Sequence, residues 1–259
     1  MVAAPRAGSG LPALAKLGRV GGRGWALVPL ASIVGVVFAI RYLSDTASVL
    51  TYLALVAVPP LAAAALGWCA RGSRPGLALI AVVLFAIAWA ARSSLAGEAA
   101  AALLSALSCV TLGVMLTAVA PAGWLKLGIV AMAAADTWLV VSDLLQAPNA
   151  TLIAAHPAAG LPRLQSQIFG SASMGYGDLF IAGLLGALVA ASPRIQNRAA
   201  LLTLGLAAAF DLLFFFVNEL PATVPVALAL VTLELWGRLP ANAGRRQSRR
   251  VAVTPPPAR

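Results

Sequence analysis

Residues 124–145 read WLKLGIVAMAAADTWLVVSDLL, an apolar run of the length a helix needs to cross a hydrocarbon core of about 30 Å, and it carries Asp136 in its interior. Lipid offers no partner to an unpaired backbone amide, so such a run must be helical. Seven further runs of comparable length flank it: Trp25–Leu43, Val49–Ala70, Gly76–Ala96, Ala99–Ala120, Gly175–Ala191, Ala199–Val217 and Pro221–Trp236. The expected fold is therefore all-α, a polytopic transmembrane helical bundle of about eight spans.

The composition agrees. Of 259 residues, 61% are apolar and only 10% charged, and the mean hydropathy is +0.93, far outside the range of soluble domains. The formal net charge of +10 does not point to nucleic acid, because no stretch interleaves basic with stacking aromatic residues. The basic residues instead follow topology. With a cytoplasmic N-terminus and eight spans, 15 of the 18 Lys and Arg residues fall inside and only Arg41, Arg92 and Arg163 outside, the bias expected of a membrane protein with both termini in the cytoplasm. Three regions follow: a basic N-terminal arm (1–24), a membrane domain (25–237) and a basic tail read as disordered (238–259), whose arginines suit an anionic lipid surface. The first apolar run is span-length without a clear cleavage site, so it reads as a retained anchor. Cys69 and Cys109 have no metal-ligand spacing, and His156 is the single histidine, which leaves little from which to build a metal centre or a Ser/His nucleophile. The long connection from Gln146 to Met174, placed outside, is long enough to be functional.

The acids carry the functional signal. Five of the eight, Asp136, Asp143, Asp178, Asp211 and Glu234, lie in predicted spans, where an ionised carboxylate costs at least about 2.5 kcal/mol at mid-bilayer. Asp178 stands in Ser173-Met-Gly175-Tyr176-Gly177-Asp178-Leu-Phe180, where two glycines leave the backbone open to a close approach; the plain structural reading is close helix packing with Asp178 at a helix start. Asp136 lies twelve residues after Trp124, roughly 18 Å from the cytoplasmic side, and Asp178, entering from the other side, lies at roughly 20 Å. Consecutive spans are usually neighbours, so the two side chains can face each other. Asp143, two turns beyond Asp136, is either a solvated helix-end carboxylate or the partner of Asp178. Asp211 either bonds a neighbouring helix or tunes the site, and Glu219 and Glu234, near span ends, read as solvated.

A Gly-x-Gly-Asp opening one span, an Asp in the preceding span and Pro221-Ala222-Thr223 opening the last resemble the presenilin and signal peptide peptidase family, over roughly Lys126 to Trp236. The resemblance implies an intramembrane aspartyl protease with Asp136 and Asp178 as catalytic residues. Gly175, Tyr176, Gly177, Pro221, Ala222 and Thr223 would stand at the substrate, and Asp143 and Asp211 would be accessory. It departs from the family at Ala135, where Tyr is usual, at Thr223, where Leu is usual, and in having eight spans rather than nine. It further implies the plasma membrane of a prokaryote, with transmembrane peptides or proteins as substrates and no cofactor. Type IV prepilin peptidases also carry Gly-x-Gly-Asp, but this chain has Phe180 where they usually have Lys. A proton-coupled carrier using Asp136, Asp178 and Asp211 as a relay, and an inactive scaffold, are the readings from other classes.

Overall fold

The computed structural model describes residues 4–7, 25, 31, 35, 38–39, 45–142, 144, 150–152, 154–155, 157, 160–169, 172–215 and 220–251. Most of the first apolar run lies outside them, as do Asp143, His156 and Glu219. Seven α-helices are described: α1 (Thr46–Ala64), α2 (Leu79–Ala90), α3 (Leu95–Val119), α4 (Ala122–Val141), α5 (Tyr176–Leu188), α6 (Pro193–Asp211) and α7 (Val224–Val251). Each of the second to eighth apolar runs thus overlaps a helix. Three helical segments, Thr46–Cys69, Leu95–Val119 and Ala122–Val141, are long and apolar enough to cross a membrane. Pro75–Ala90, Tyr176–Leu188 and Val224–Gly237 are apolar but shorter, and α7 runs on into the basic segment that the sequence sets apart.

Local chemistry marks the boundaries. Ser94 precedes α3 and its hydroxyl accepts the Gly97 amide at 3.4 Å. Ser192 and Pro193 open α6, where a proline loses nothing because the first-turn amides have no helical partner. α1 carries Pro59 and Pro60 and ends in a π turn, Ala65–Cys69, closed by the Ala70 amide on the Ala65 carbonyl at 2.9 Å. Many of the side chains that point outward are large and apolar: Val56, Leu79, Trp138, Val141 and Leu201 are all largely exposed. In water this surface would be a liability.

One element departs from the all-α expectation. Within the long connection, β1 (Ser166–Phe169) and β2 (Ala172–Gly175) form an antiparallel pair in the register Ser166 opposite Gly175 and Phe169 opposite Ala172. The hairpin runs directly into α5, so it delivers the chain to Gly175-Tyr176-Gly177-Asp178.

Helix α3 is the centre of the packing, touching α1, α2, α5 and β1. Buried side chains form two clusters. One joins α1, α2 and α3 through Val58, Ala62, Ala81, Ala100 and Leu104; the other joins α4, α5 and α7 through Ile129, Ala133, Ile181, Leu184, Val226 and Leu230. α5 links the two, and its crossing with α3 is made at glycines: a Cβ on Gly113 would lie 2.8 Å from the Gly183 carbonyl oxygen, and one on Gly183 would lie 2.7 Å from that of Cys109. Loops tie the two ends of the bundle. At one end Arg71 bonds Gln196 Oε1 at 2.7 Å and the Ala190 carbonyl, while Gln196 Nε2 reaches the Pro5 and Gly186 carbonyls at 2.9 Å each. At the other, Arg92 Nη1 donates to the Gly160 carbonyl at 2.6 Å.

Candidate active site

Asp178 lies in the first turn of α5, and its Oδ2 accepts the Gly175 amide at 3.1 Å. A carboxylate three residues into a helix is favoured there, since the first-turn amides are unpaired and carry partial positive charge. The two glycines of the motif differ. A Cβ on Gly175 would lie 3.2 Å from Asp178 Oδ2, whereas one on Gly177 would meet nothing within 4 Å. Gly175 leaves room for the carboxylate, and Gly177 leaves an open, exposed flank beside it.

Tyr176 turns inward. Its hydroxyl lies 2.6 Å from Ser108 Oγ on α3, and the Cys109 thiol lies 4.0 Å from its carbonyl oxygen. Ser108 in turn donates to the Ser105 carbonyl at 2.7 Å. Gln167 of β1 donates to Ser105 Oγ at 2.6 Å and to the Leu164 carbonyl at 3.1 Å. Ser105 and Ser108 are fully buried and Gln167 nearly so. Burying polar groups is tolerable when they are bonded in this way.

Asp136 lies on α4, half-buried. Its Oδ2 accepts the Thr223 hydroxyl at 2.7 Å and, more weakly, the Thr223 amide at 3.4 Å. Thr223 is only 2% exposed and immediately precedes α7. The Pro221 carbonyl accepts the Val224 amide at 3.2 Å, so Pro221-Ala222-Thr223 forms the turn that starts the helix, with Ala222 exposed. Asp136 and Asp178 are each half-buried, on two helices, α4 and α5, that pack against one another.

The structure therefore gathers Asp136, Asp178, Gly175, Tyr176, Gly177 and Thr223 around the meeting of α4, α5 and α7. No known protein family, curated protein or solved structure matches the chain. The resemblance consequently rests on the motif residues themselves. Asp211 ends α6 and is exposed, and Asp143 lies outside the described residues. Glu234, read as solvated, pairs with Lys126 and joins α7 to α4. Among the described residues no three His, Cys, Asp or Glu side chains gather in a way that would hold a metal ion.

Ser105, Ser108 and Gln167 were not singled out in the sequence. A signal for the serines was present: Ser105, Ser108 and Thr111 recur every three residues in an otherwise apolar helix, which places hydroxyls along one side of it. Nothing in the sequence foretells the contact of Gln167, because it depends on the register of the hairpin.

Proposed function

We propose that the chain is an intramembrane aspartyl protease that hydrolyses peptide bonds within transmembrane segments or signal peptides. The observation that carries this reading is the convergence of three segments distant in sequence: Asp136 on α4 is bonded by Thr223 at the start of α7, and α4 and α7 both pack against α5, whose first turn carries Asp178. In this reading the two carboxyl groups divide the work, one entering the reaction ionised and the other protonated. The ionised member takes a proton from water as the water oxygen attacks the scissile carbonyl carbon. The protonated member gives its proton to the carbonyl oxygen; collapse of the resulting diol then breaks the C–N bond and passes a proton to the departing amine.

The surroundings suit a peptide substrate. A membrane-spanning substrate must unwind locally before its backbone can be attacked, and an unwound segment needs partners for its freed amides and carbonyls. Among the described residues no third strand joins the β1–β2 pair, which stands immediately before Asp178, and the exposed flank at Gly177 lets a backbone come close. Pro221 and Pro225 withhold two amides from the helix start, so the backbone there departs from regular helical pairing. In this reading the chain crosses the plasma membrane of a prokaryote about eight times with both termini cytoplasmic. The end-to-end pairings fit that alternation: Arg71 with Gln196 and Lys126 with Glu234 join groups assigned to one side, and Arg92 with Gly160 joins groups assigned to the other.

The test is cleavage of a fluorogenic transmembrane peptide by the purified full-length protein in proteoliposomes, beside Asp136→Ala and Asp178→Ala. The expected result is cleavage by the wild type and by neither variant. Cleavage that survives both substitutions would remove the dyad, and ion flux without cleavage would favour a carrier.

A further inference from the structure

We infer that Ser108 is a positioning residue for Asp178, acting through the Tyr176 hydroxyl. This rests on the proposed protease reading but assigns a role to a helix that contributes no aspartate. A serine hydroxyl has a single proton. Ser108 gives it to the Ser105 carbonyl at 2.7 Å, which leaves its oxygen to accept, so in the 2.6 Å contact the Tyr176 O–H is the donor. The phenol is then held at a fixed point on α3.

Tyr176 is the first residue of α5 and Asp178 the third. Fixing the side chain of one sets the rotation of the first turn and hence the direction of the other. The anchor is itself braced, because Gln167 of β1 bonds Ser105 Oγ and the Leu164 carbonyl, and β1 pairs with β2, which leads into Gly175. Below this, the Gly113–Gly183 crossing brings α3 and α5 to backbone contact. The hydroxyl pair therefore acts at the upper end of a rigid interface, where a small release becomes a swing of the turn. Tyr176 is correspondingly engaged inside the bundle rather than turned to a substrate.

The experiment is a double-substitution cycle in the full-length protein, with Ser108→Ala, Tyr176→Phe and the two combined. Each removes one oxygen and leaves the packing otherwise filled. The first readout is peptide cleavage in proteoliposomes: each single variant is expected to lose about tenfold in kcat with KM unchanged, and the combined variant to lose no more than either one. A raised KM with unchanged kcat in Tyr176→Phe would overturn the inference by placing the phenol on the substrate. Multiplying losses would overturn it by showing that the two side chains act separately. The second readout needs no cleavage: the alkylation rate of a cysteine placed by Asp178→Cys, read by mass spectrometry, is expected to change by one common factor in the Ser108→Ala, Tyr176→Phe and combined backgrounds. An unchanged rate in all three would overturn the inference whatever the outcome of the protease assay. Failure of the function reading shows differently, as wild-type protein without cleavage or Asp178→Ala with full cleavage.

Discussion

The two aspartates are mounted in opposite ways. Asp178 is fixed through its backbone: a hairpin delivers it, the first turn of α5 accepts its carboxylate, and α3 holds the neighbouring tyrosine. Asp136 sits in the regular body of α4, where the backbone imposes nothing special, and among the described residues its carboxylate is held by one residue, Thr223, through the hydroxyl and, more weakly, the amide. A mount built from backbone and several helices is stiff, whereas a mount built mainly on one hydroxyl is easily altered. The difference implies that damage to the Asp178 side spreads into the fold, while damage to the Asp136 side stays in the chemistry.

The largest effect is expected where the comparison is removed altogether. Asp136→Asn and Asp178→Asn each take away a group that moves protons, and each should lower peptide cleavage by about 10²- to 10⁴-fold in a steady-state assay. The wild type should show a bell-shaped pH profile, since the pair works only while it holds a single proton. Next come the glycines. Gly183→Val pushes a side chain into the Cys109 backbone and should cost about 1–3 kcal/mol, seen as a lower thermal midpoint. Gly175→Ala and Gly177→Ala sharpen the contrast within one motif: the first crowds the Asp178 carboxylate and should lower kcat, whereas the second fills open space and should chiefly raise KM. For Asp136, Thr223→Val keeps the shape but loses the donor, so kcat should fall about tenfold without a change in thermal midpoint, and Thr223→Ser should restore most of it. The smallest effect belongs to Lys126→Ala. Its pair with Glu234 is partly exposed, with both side chains more than a third accessible, and should contribute no more than about 1 kcal/mol to stability and nothing to turnover.

What was legible in the sequence is what depends on local composition. Apolar runs announce helices, and the second to eighth runs overlap α1 to α7 in turn. Acids in such runs announce a site, and Asp136 and Asp178 lie on helices that pack against each other. The residues that orient them were harder to read because their contacts are long-range: Thr223 meets Asp136 across 87 positions and Ser108 meets Tyr176 across 68. Thr223 was set apart as a departure from the usual Leu of the motif it resembles, yet that departure supplies the hydroxyl that Asp136 uses. The hairpin was hidden in the long connection, since a four-residue strand has too little periodicity to stand out beside long helices. The bond from Gln167 to Ser105 follows only once that hairpin exists.

The central claim is that Asp136 and Asp178 face each other. It is tested most directly by placing cysteines at both positions, with Cys69 and Cys109 changed to alanine, and treating intact membranes with a short thiol-to-thiol cross-linker. Arg163 lies between the two positions in sequence, so trypsin separates them into different peptides unless the linker joins them. Joined peptides in the double-cysteine chain, absent from either single-cysteine chain, are the predicted result. Full but separate labelling of both thiols, with no joined peptide, would contradict the account.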